Sequence, residues 1–370
     1  VRRSAAEALA LLRLARTEGI GPVAFQRLLE RHGTGAAALA AVPALPARGG
    51  VPYRPAPESA VAREMEAVDA MGGRFLFLCD EDYPALLALL HDAPPALAVV
   101  GDPALLAVPQ VAVVGARNAS ALGRRMAEEL AEALAAAGLA VTSGMARGID
   151  GAAHRGALRA GATVAVIPGG LDVPYPPEHL ELQGLVAERG AVVAEAPLGT
   201  APIARHFPRR NRIIAGLSLG TVVVEAAHRS GTLMTARLAL EAGREVFAVP
   251  GSPLDPRCAG SNDLLRQGAH LVERAEDVLE NLPDAPRAAP PFRPARSPAQ
   301  GARPAPEPGS LPADTLQLLD LIGPTPVVVD ELLRRCHLSP AAVQAILLDL
   351  ELEGRIEALP GNRVVRSGLR

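Results

Sequence analysis

Short runs of β-branched and small apolar residues alternate with longer amphipathic runs over the middle of the chain. The spacing predicts a strand at Val111–Val114, a helix at Ser120–Ala137, a strand at Leu139–Thr142 and a helix at Asp150–Ala160. The alternation continues with strand Thr163–Ile167, helix Pro177–Glu188 and strand Ala191–Ala194. After an arginine-rich helix come strand Thr221–Val224, helix Thr232–Ala242 and strand Glu245–Val249. Arg74–Leu78 and Leu97–Val100 are strand-like runs ahead of this series. Short apolar strands separated by helices mean a parallel sheet covered on both faces. The expected fold class is therefore α/β, an extended Rossmann-like, doubly wound parallel sheet over 73–283.

The pattern differs at both ends. Residues 1–70 predict small helices: Leu9, Leu11, Leu12, Leu14 and Ala15 form one stripe, broken at Gly19-Ile20-Gly21-Pro22, and a second helix runs through Phe25, Leu28 and Leu29. Helix, Gly-x-Gly turn and helix resemble a SAM-like or helix-hairpin-helix domain, whose turn amides can hold a DNA phosphate; a plain helical turn fits equally well. Residues 284–310 carry eight prolines and no hydrophobic period, which predicts a semi-extended linker. Over 311–370, helices at Leu316–Ile322, Val327–Cys336 and Pro340–Glu353 precede a hairpin from Gly354-Arg355-Ile356 to Arg363-Val364-Val365, the layout of a winged helix. That module holds eight acids against six arginines, and Pro340–Glu353 has no base at all. A helix reading duplex DNA needs positive charge near phosphates, so this one is expected to contact protein instead.

Composition narrows the function. A net charge of −3 and a pI near 6.3 exclude coating of duplex DNA by bulk positive charge, so any nucleic-acid site must be local. All 37 basic residues are arginine, which excludes a Schiff-base lysine and a Walker-type phosphate lysine. Cys79, Cys258 and Cys336 form no C-x-x-C pair and fit a reduced, cytoplasmic protein with neither disulfides nor a zinc site. No apolar stretch approaches the roughly 18 residues that span a bilayer, so no membrane partner is expected, and no cofactor.

Chemistry concentrates in Arg205 to Ser218. Arg205, Arg209, Arg210 and Arg212 surround a single aromatic, Phe207, and Pro208 suits a first helical turn. Guanidinium groups near a helix N-terminus favour anions, and an aromatic face can stack on an unpaired base. The segment contains no acid to pair with its arginines, and Ile213, Ile214 and Leu217 anchor it to a core. A site for single-stranded nucleic acid is predicted.

Ligands in doubly wound folds sit beyond the carboxyl ends of the strands. There this chain places Gly115, Arg117 and Ser120, then Gly144, Arg147 and Gly148, then Gly169 and Gly170, and finally Ser230, Gly231 and Thr232. Together with Asn211 and the arginines they are expected on one rim. None of these loops reads G-x-G-x-x-G, so a dinucleotide is not expected. Catalytic machinery is thin: Asp150 and His154 share a helical face, as an acid–base pair or, by preference, as a helix cap beside a histidine, and no carboxylate cluster suggests two-metal chemistry.

These motifs resemble the DNA-processing protein A (DprA/Smf) family. They are Gly115-x-Arg117-x-x-Ser120, Ser143-Gly144-x-Ala146-x-Gly148-Ile149-Asp150, Gly169-Gly170-Leu171-Asp172-x-x-Tyr175-Pro176, Phe207-Pro208-x-Arg210-Asn211-Arg212-Ile213-Ile214-Ala215-Gly216-Leu217-Ser218 and Ser230-Gly231-Thr232. The resemblance implies a non-enzymatic, cytoplasmic protein that binds and protects incoming single-stranded DNA, forms homodimers and loads RecA during natural transformation. It further implies that Arg117, Arg210 and Arg212 hold phosphates, that the glycine loops let the strand approach, and that Phe207 stacks on a base. Family members commonly carry a lysine just before this segment, where this chain has Ala204 and Arg205.

Two other readings stand beside it. A nucleotide phosphoribohydrolase would carry Pro-Gly-Gly-x-Gly-Thr-x-x-Glu, whereas here Pro168-Gly169-Gly170 lies far from Gly220-Thr221, and Glu225 falls one residue late. A protein-interaction scaffold would have its arginines tied up in ion pairs.

Overall fold

The computed structural model describes residues 3–46, 52–284, 313–323, 325–359 and 361–367. The linker expected at 284–310 falls outside the described residues except for Asp284. By contact density the chain divides into two compact units, Val1–Val61 with Pro294–Arg370, and Ala62–Arg293.

In the first unit, α1 (Ala5–Arg16) starts at Ser4, whose hydroxyl accepts from the Glu7 amide at 3.2 Å. Helix α2 (Pro22–His32) has proline in its first turn, and α3 (Gly35–Ala41) follows. Leu11, Leu12, Leu14, Phe25, Leu28 and Leu29 are fully buried where these helices meet, as the leucine stripe predicts. In the α1–α2 turn Gly19 has φ +85°, and a Cβ there would lie 2.7 Å from the Tyr53 ring. The turn is therefore covered by an aromatic ring at Gly19 and open only at Gly21. Helix α4 (Glu58–Ala70) leads into the second unit.

That unit is built on nine strands: β1 (Gly73–Phe77), β2 (Ala96–Gly101), β3 (Gln110–Val114), β4 (Ala140–Ser143), β5 (Thr163–Ile167), β6 (Ala191–Ala194), β7 (Gly220–Val223), β8 (Glu245–Ala248) and β9 (His270–Leu271). Their order is β1-β2-β6-β5-β4-β3-β7-β8-β9. From β6 to β9 every pair is parallel, but β2 runs antiparallel to both β6 and β1. The sheet is thus mixed at one edge, which corrects the expectation of a wholly parallel one. Between β1 and β2 lies only the four-residue α5 (Ala85–Ala88), too short for the helical crossover that a parallel return requires.

Alternate residues of each strand feed opposite faces. Val111 and Val113 of β3 pack beneath α6 (Ala121–Ala136), α7 (Ile149–Ala160) and later α12 (Ala275–Leu279). Ala112 and Val114 face the other layer. There α9 (His206–Leu217), α10 (Gly231–Glu241) and α11 (Ala259–Arg266) bring Ile213, Ile214, Leu217, Ala236, Ala239 and Leu264. Helix α8 (Leu180–Arg189) covers the neighbouring strands β2, β6 and β5. The core therefore fixes the carboxyl ends of β3, β4, β5 and β7 side by side, with the loops at issue above them.

The C-terminal residues form α13 (Ala313–Leu321), β10 (Val327–Val328), α14 (Val329–Arg335), α15 (Pro340–Leu352), β11 (Ile356–Leu359) and β12 (Arg363–Arg366). This is a winged helix around Leu318, Leu332, Val343, Leu347 and Leu350. Val327 and Val328 pair with Val364 and Arg363 as a strand, not as the start of a helix. Two β-branched residues beside an open hairpin edge gain ladder hydrogen bonds that a helical turn does not offer. Among the described residues no helix is long and apolar enough to cross a membrane.

Candidate nucleic-acid interface

The loops after β3 and β4 are locked together by one backbone feature. Gly148 has φ +77°, and a Cβ there would come within 2.7 Å of the Arg117 carbonyl oxygen. The Ile149 amide donates to Ala116 O at 3.2 Å, so α7 begins against the 115–120 loop and holds Arg117 in place. From the other side, Thr232 Oγ1 donates to Gly115 O at 3.0 Å, and Asn211 Nδ2 donates to Gly231 O at 3.4 Å. The first turn of α10, the 115–120 loop and α9 thus meet at one rim. Gly231 is exposed, with open space where a side chain would be.

Over this rim stands Phe207, half-buried, in the first turn of α9. The Arg117 guanidinium lies 4.6 Å from its ring centroid and that of Arg210 5.9 Å. Arg117, Arg205 and Arg209 are exposed, and none is ion-paired among the described residues. Arg147 stands 3.7 Å from Glu178 with both side chains more than half exposed. Such a surface pair is worth about 0–1 kcal/mol and exchanges readily for phosphate.

The remaining arginines of the segment do not face solvent. Arg210 is 5% exposed and passes directly over Gly144, which has no side chain to obstruct it. Its Nη1 lies 3.9 Å from Asp150 Oδ2 and donates to Val166 O at 3.4 Å, while Nε has no partner among the described residues. Burial draws its pKa down to about 10, so it stays charged at neutral pH. Burial also raises the Asp150 pKa, against the pull of Arg210 and the loop amides. Arg212 donates to Glu195 Oε1 at 2.6 Å and to Asp92 O at 2.7 Å, with Asp92 Oδ2 at 3.4 Å from Nε. Asn211 is buried as well.

The expectation that Arg210 and Arg212 present their guanidiniums to phosphate is therefore corrected: Arg212 is a buried structural cation, and Arg210 forms the floor of the notch. The physical reason is helical. Residues 210, 213, 214 and 217 share one face, so Arg210 lies on the stripe that carries Ile213, Ile214 and Leu217 into the core.

Other expected positions also serve the fold. The Ser120 hydroxyl donates to Glu225 Oε1 at 2.5 Å and accepts from the Gly123 amide at 2.8 Å, and its own amide donates to Glu225 Oε2 at 2.9 Å. It is a helix cap, not a free phosphate ligand. Gly169 and Gly170 are buried against the 197–202 loop, where Cβ atoms would lie 2.6 Å from Thr200 O and 2.7 Å from Pro197 O. They admit that loop, not a strand of nucleic acid. Gly115 is likewise packed on Ile149. Ser230 Oγ, just before α10, has no hydrogen-bond partner among the described residues.

Asp150 and His154 do not form an acid–base pair. Thr163 Oγ1 donates to Val141 O at 2.7 Å and so accepts from His154 Nδ1 at 2.7 Å, which leaves Nε2 unprotonated and, among the described residues, unpartnered. Burial depresses the His154 pKa to about 3. Among the described residues no cluster of three or more histidine, cysteine or carboxylate side chains could hold a metal.

Sequence reasoning passed over Tyr175, whose ring centroid lies 5.7 Å from that of Phe207 at an interplanar angle of 67°. It stands inside the 169–176 motif, and the chain has only three tyrosines, which was the available signal. The partners Asp92 and Glu195 gave no such signal.

A wound mixed sheet with a cationic, aromatic notch at its carboxyl edge, preceded by a helical module and followed by a winged helix, defines a class of multidomain DNA-processing proteins. The chain belongs to the DNA recombination-mediator protein A family, which matches residues 74–283. Residues 5–67 match the DprA-like N-terminal HHH domain and residues 302–362 the DprA winged helix domain. Protein Smf of Escherichia coli strain K12 is 44% identical over 293 residues, covering 77% of this chain and 75% of that protein. The DNA processing protein DprA of Streptococcus pneumoniae is 45% identical over 203 residues, 55% of this chain and 72% of that one. The X-ray structure of Streptococcus pneumoniae DprA superposes with a TM-score of 0.58 at 41% identity, over 61% of this chain and 78% of that one. A structure of DNA processing protein A from Helicobacter pylori, described for its single-stranded DNA binding mode, gives a TM-score of 0.52 at 30% identity, over 57% and 97% of the two chains.

Proposed function

We propose that this chain binds single-stranded DNA at the notch around Phe207, protects DNA taken up during natural transformation and loads RecA recombinase onto it, acting as a cytoplasmic homodimer. The observation that carries the reading is that Arg117, Arg205 and Arg209 are exposed and without an ion pair among the described residues, with Arg117 against the Phe207 ring and the other two in the same short segment as Phe207. Family membership and the single-stranded DNA binding described for the Helicobacter pylori relative support it. Each phosphate held by an arginine on a single strand contributes a slope of about −0.7 in log affinity against log salt, so three contribute about −2. Binding is electrostatic and tolerant of sequence, and a second subunit raises it by avidity. The acidic winged helix meets a protein partner in this scheme.

A phosphoribohydrolase is not favoured. Glu225, which that chemistry would leave free, accepts two hydrogen bonds from Ser120. The test is fluorescence anisotropy of a dye-labelled oligo-dT over a salt series. Replacing Arg117, Arg205 and Arg209 with alanine flattens the slope by about two. An unchanged slope removes this site, and no binding of the wild type at low salt removes the function. RecA loading is read separately, from filament assembly on strands already coated with single-strand binding protein.

A further inference from the structure

We infer that Tyr175 supplies the open stacking face on which a nucleobase rests. The inference takes single-stranded DNA binding at the notch as given and names a contact within it. Phe207 is already enclosed: one guanidinium stands 4.6 Å from its centroid, a second 5.9 Å away, and Tyr175 itself approaches at 67°. A base seated on Phe207 has to displace at least one of these groups. Tyr175 carries no such cover. Among the described residues no cation stands over its ring and no group hydrogen-bonds to its hydroxyl, and it is only half-buried. Its steep tilt against Phe207 braces the ring in an edge-to-face contact, which leaves stacking surface unspent.

The support under Tyr175 is firm. The residue lies between Leu171, buried in the core, and the short turn Pro177–His179, whose buried His179 Nδ1 is 2.9 Å from Met145 O. Tyr175 is thereby tied to the same β4 loop that Gly148 locks to Arg117. The arrangement divides the labour: Arg117, Arg205 and Arg209 meet the phosphates, Phe207 holds Arg117 by its π-face, and Tyr175 meets the base. Such a ring accepts any base, because every base has a π-face.

The chain has three tyrosines and no tryptophan, which makes the contact directly visible. Tyr83 is buried with its hydroxyl donating to Pro94 O at 2.8 Å, and Tyr53 packs on Gly19 in the other unit. The full-length double variant Tyr53→Phe/Tyr83→Phe retains Tyr175 as its sole phenol and leaves the notch untouched. Titrating it with oligo-dT, oligo-dC and oligo-dA is expected to quench tyrosine emission in step with the anisotropy rise for all three. Binding without quenching overturns the inference and spares the DNA-binding reading; no anisotropy rise in wild type or variant overturns both. Tyr175→Phe keeps the ring and is expected to bind within about twofold of wild type. Tyr175→Leu, which keeps an apolar side chain there, is expected to weaken binding about 5- to 150-fold with an unchanged salt slope. A loss confined to one base composition, or affinity equal to wild type in Tyr175→Leu, refutes the stacking role.

Discussion

Arg212→Ala separates a buried arginine from a DNA-binding one. The guanidinium reaches Glu195 at 2.6 Å and Asp92 at 3.4 Å, and the exposed fractions of the three side chains are 9%, 19% and 32%. Removing one member of a fully buried pair costs about 3–5 kcal/mol, whereas an exposed pair contributes about 0–1. With the arginine and one partner largely buried, the loss here is about 2–4 kcal/mol, most of it from carboxylate charge left in an interior shaped for a cation. For a unit of this size each kcal/mol moves the melting temperature by about 2–4 °C, so a fall of about 5–15 °C is expected. Far-UV circular dichroism melts measure it. Anisotropy well below the transition is expected to show oligo-dT affinity within about threefold of wild type, with the same salt slope. Arg209→Ala, by contrast, is expected to leave the melt unchanged and to flatten the slope by about 0.7. An Arg212→Ala protein that melts like wild type but loses affinity and slope would falsify the buried assignment and return Arg212 to the phosphate contacts.

Gly144→Ala sets a methyl group where the Arg210 guanidinium passes, so the arginine must leave its channel and Phe207 loses a neighbour. A destabilisation of about 1–3 kcal/mol is expected from overpacking at this site, together with weaker oligo-dT binding; a neutral melt would show that the channel yields easily. The buried His154 makes the fold sensitive to acid. Its pKa falls from the ordinary 6.5 to about 3 in the folded chain, so between those values the unfolded chain binds the extra proton. Stability from this group is complete above pH 6.5 and declines toward pH 3, by up to about 1.4 kcal/mol per pH unit. Urea midpoints at stepped pH measure the decline, and a His154→Asn protein that keeps the same acid limb would assign it to another group.

The α/β alternation was legible in the residues alone because strands buried on both faces must be short, apolar and β-branched, as Thr163–Ile167 is. The leucine stripe of α1 and the winged-helix order were legible for the same reason, since periodicity records which face meets a core. Pairing direction was not: nothing within Arg74–Leu78 or Leu97–Val100 states that these strands return antiparallel, because direction depends on the length and form of the connection. The notch was legible as a place, through the glycines beyond the strand ends and Phe207 among its arginines. Which arginines serve it was decided only in three dimensions. Arg209 and Arg210 are neighbours in the chain yet point about 100° apart around the helix, one toward solvent and one over Gly144. The acids that hold Arg210 and Arg212 are Asp150, in the first turn of α7, and Asp92 and Glu195, on two separate loops, and only the folded sheet brings them together. Residue type and spacing thus determine what a segment can bury, whereas the partner that neutralises a charge is set by contacts between segments far apart in the chain.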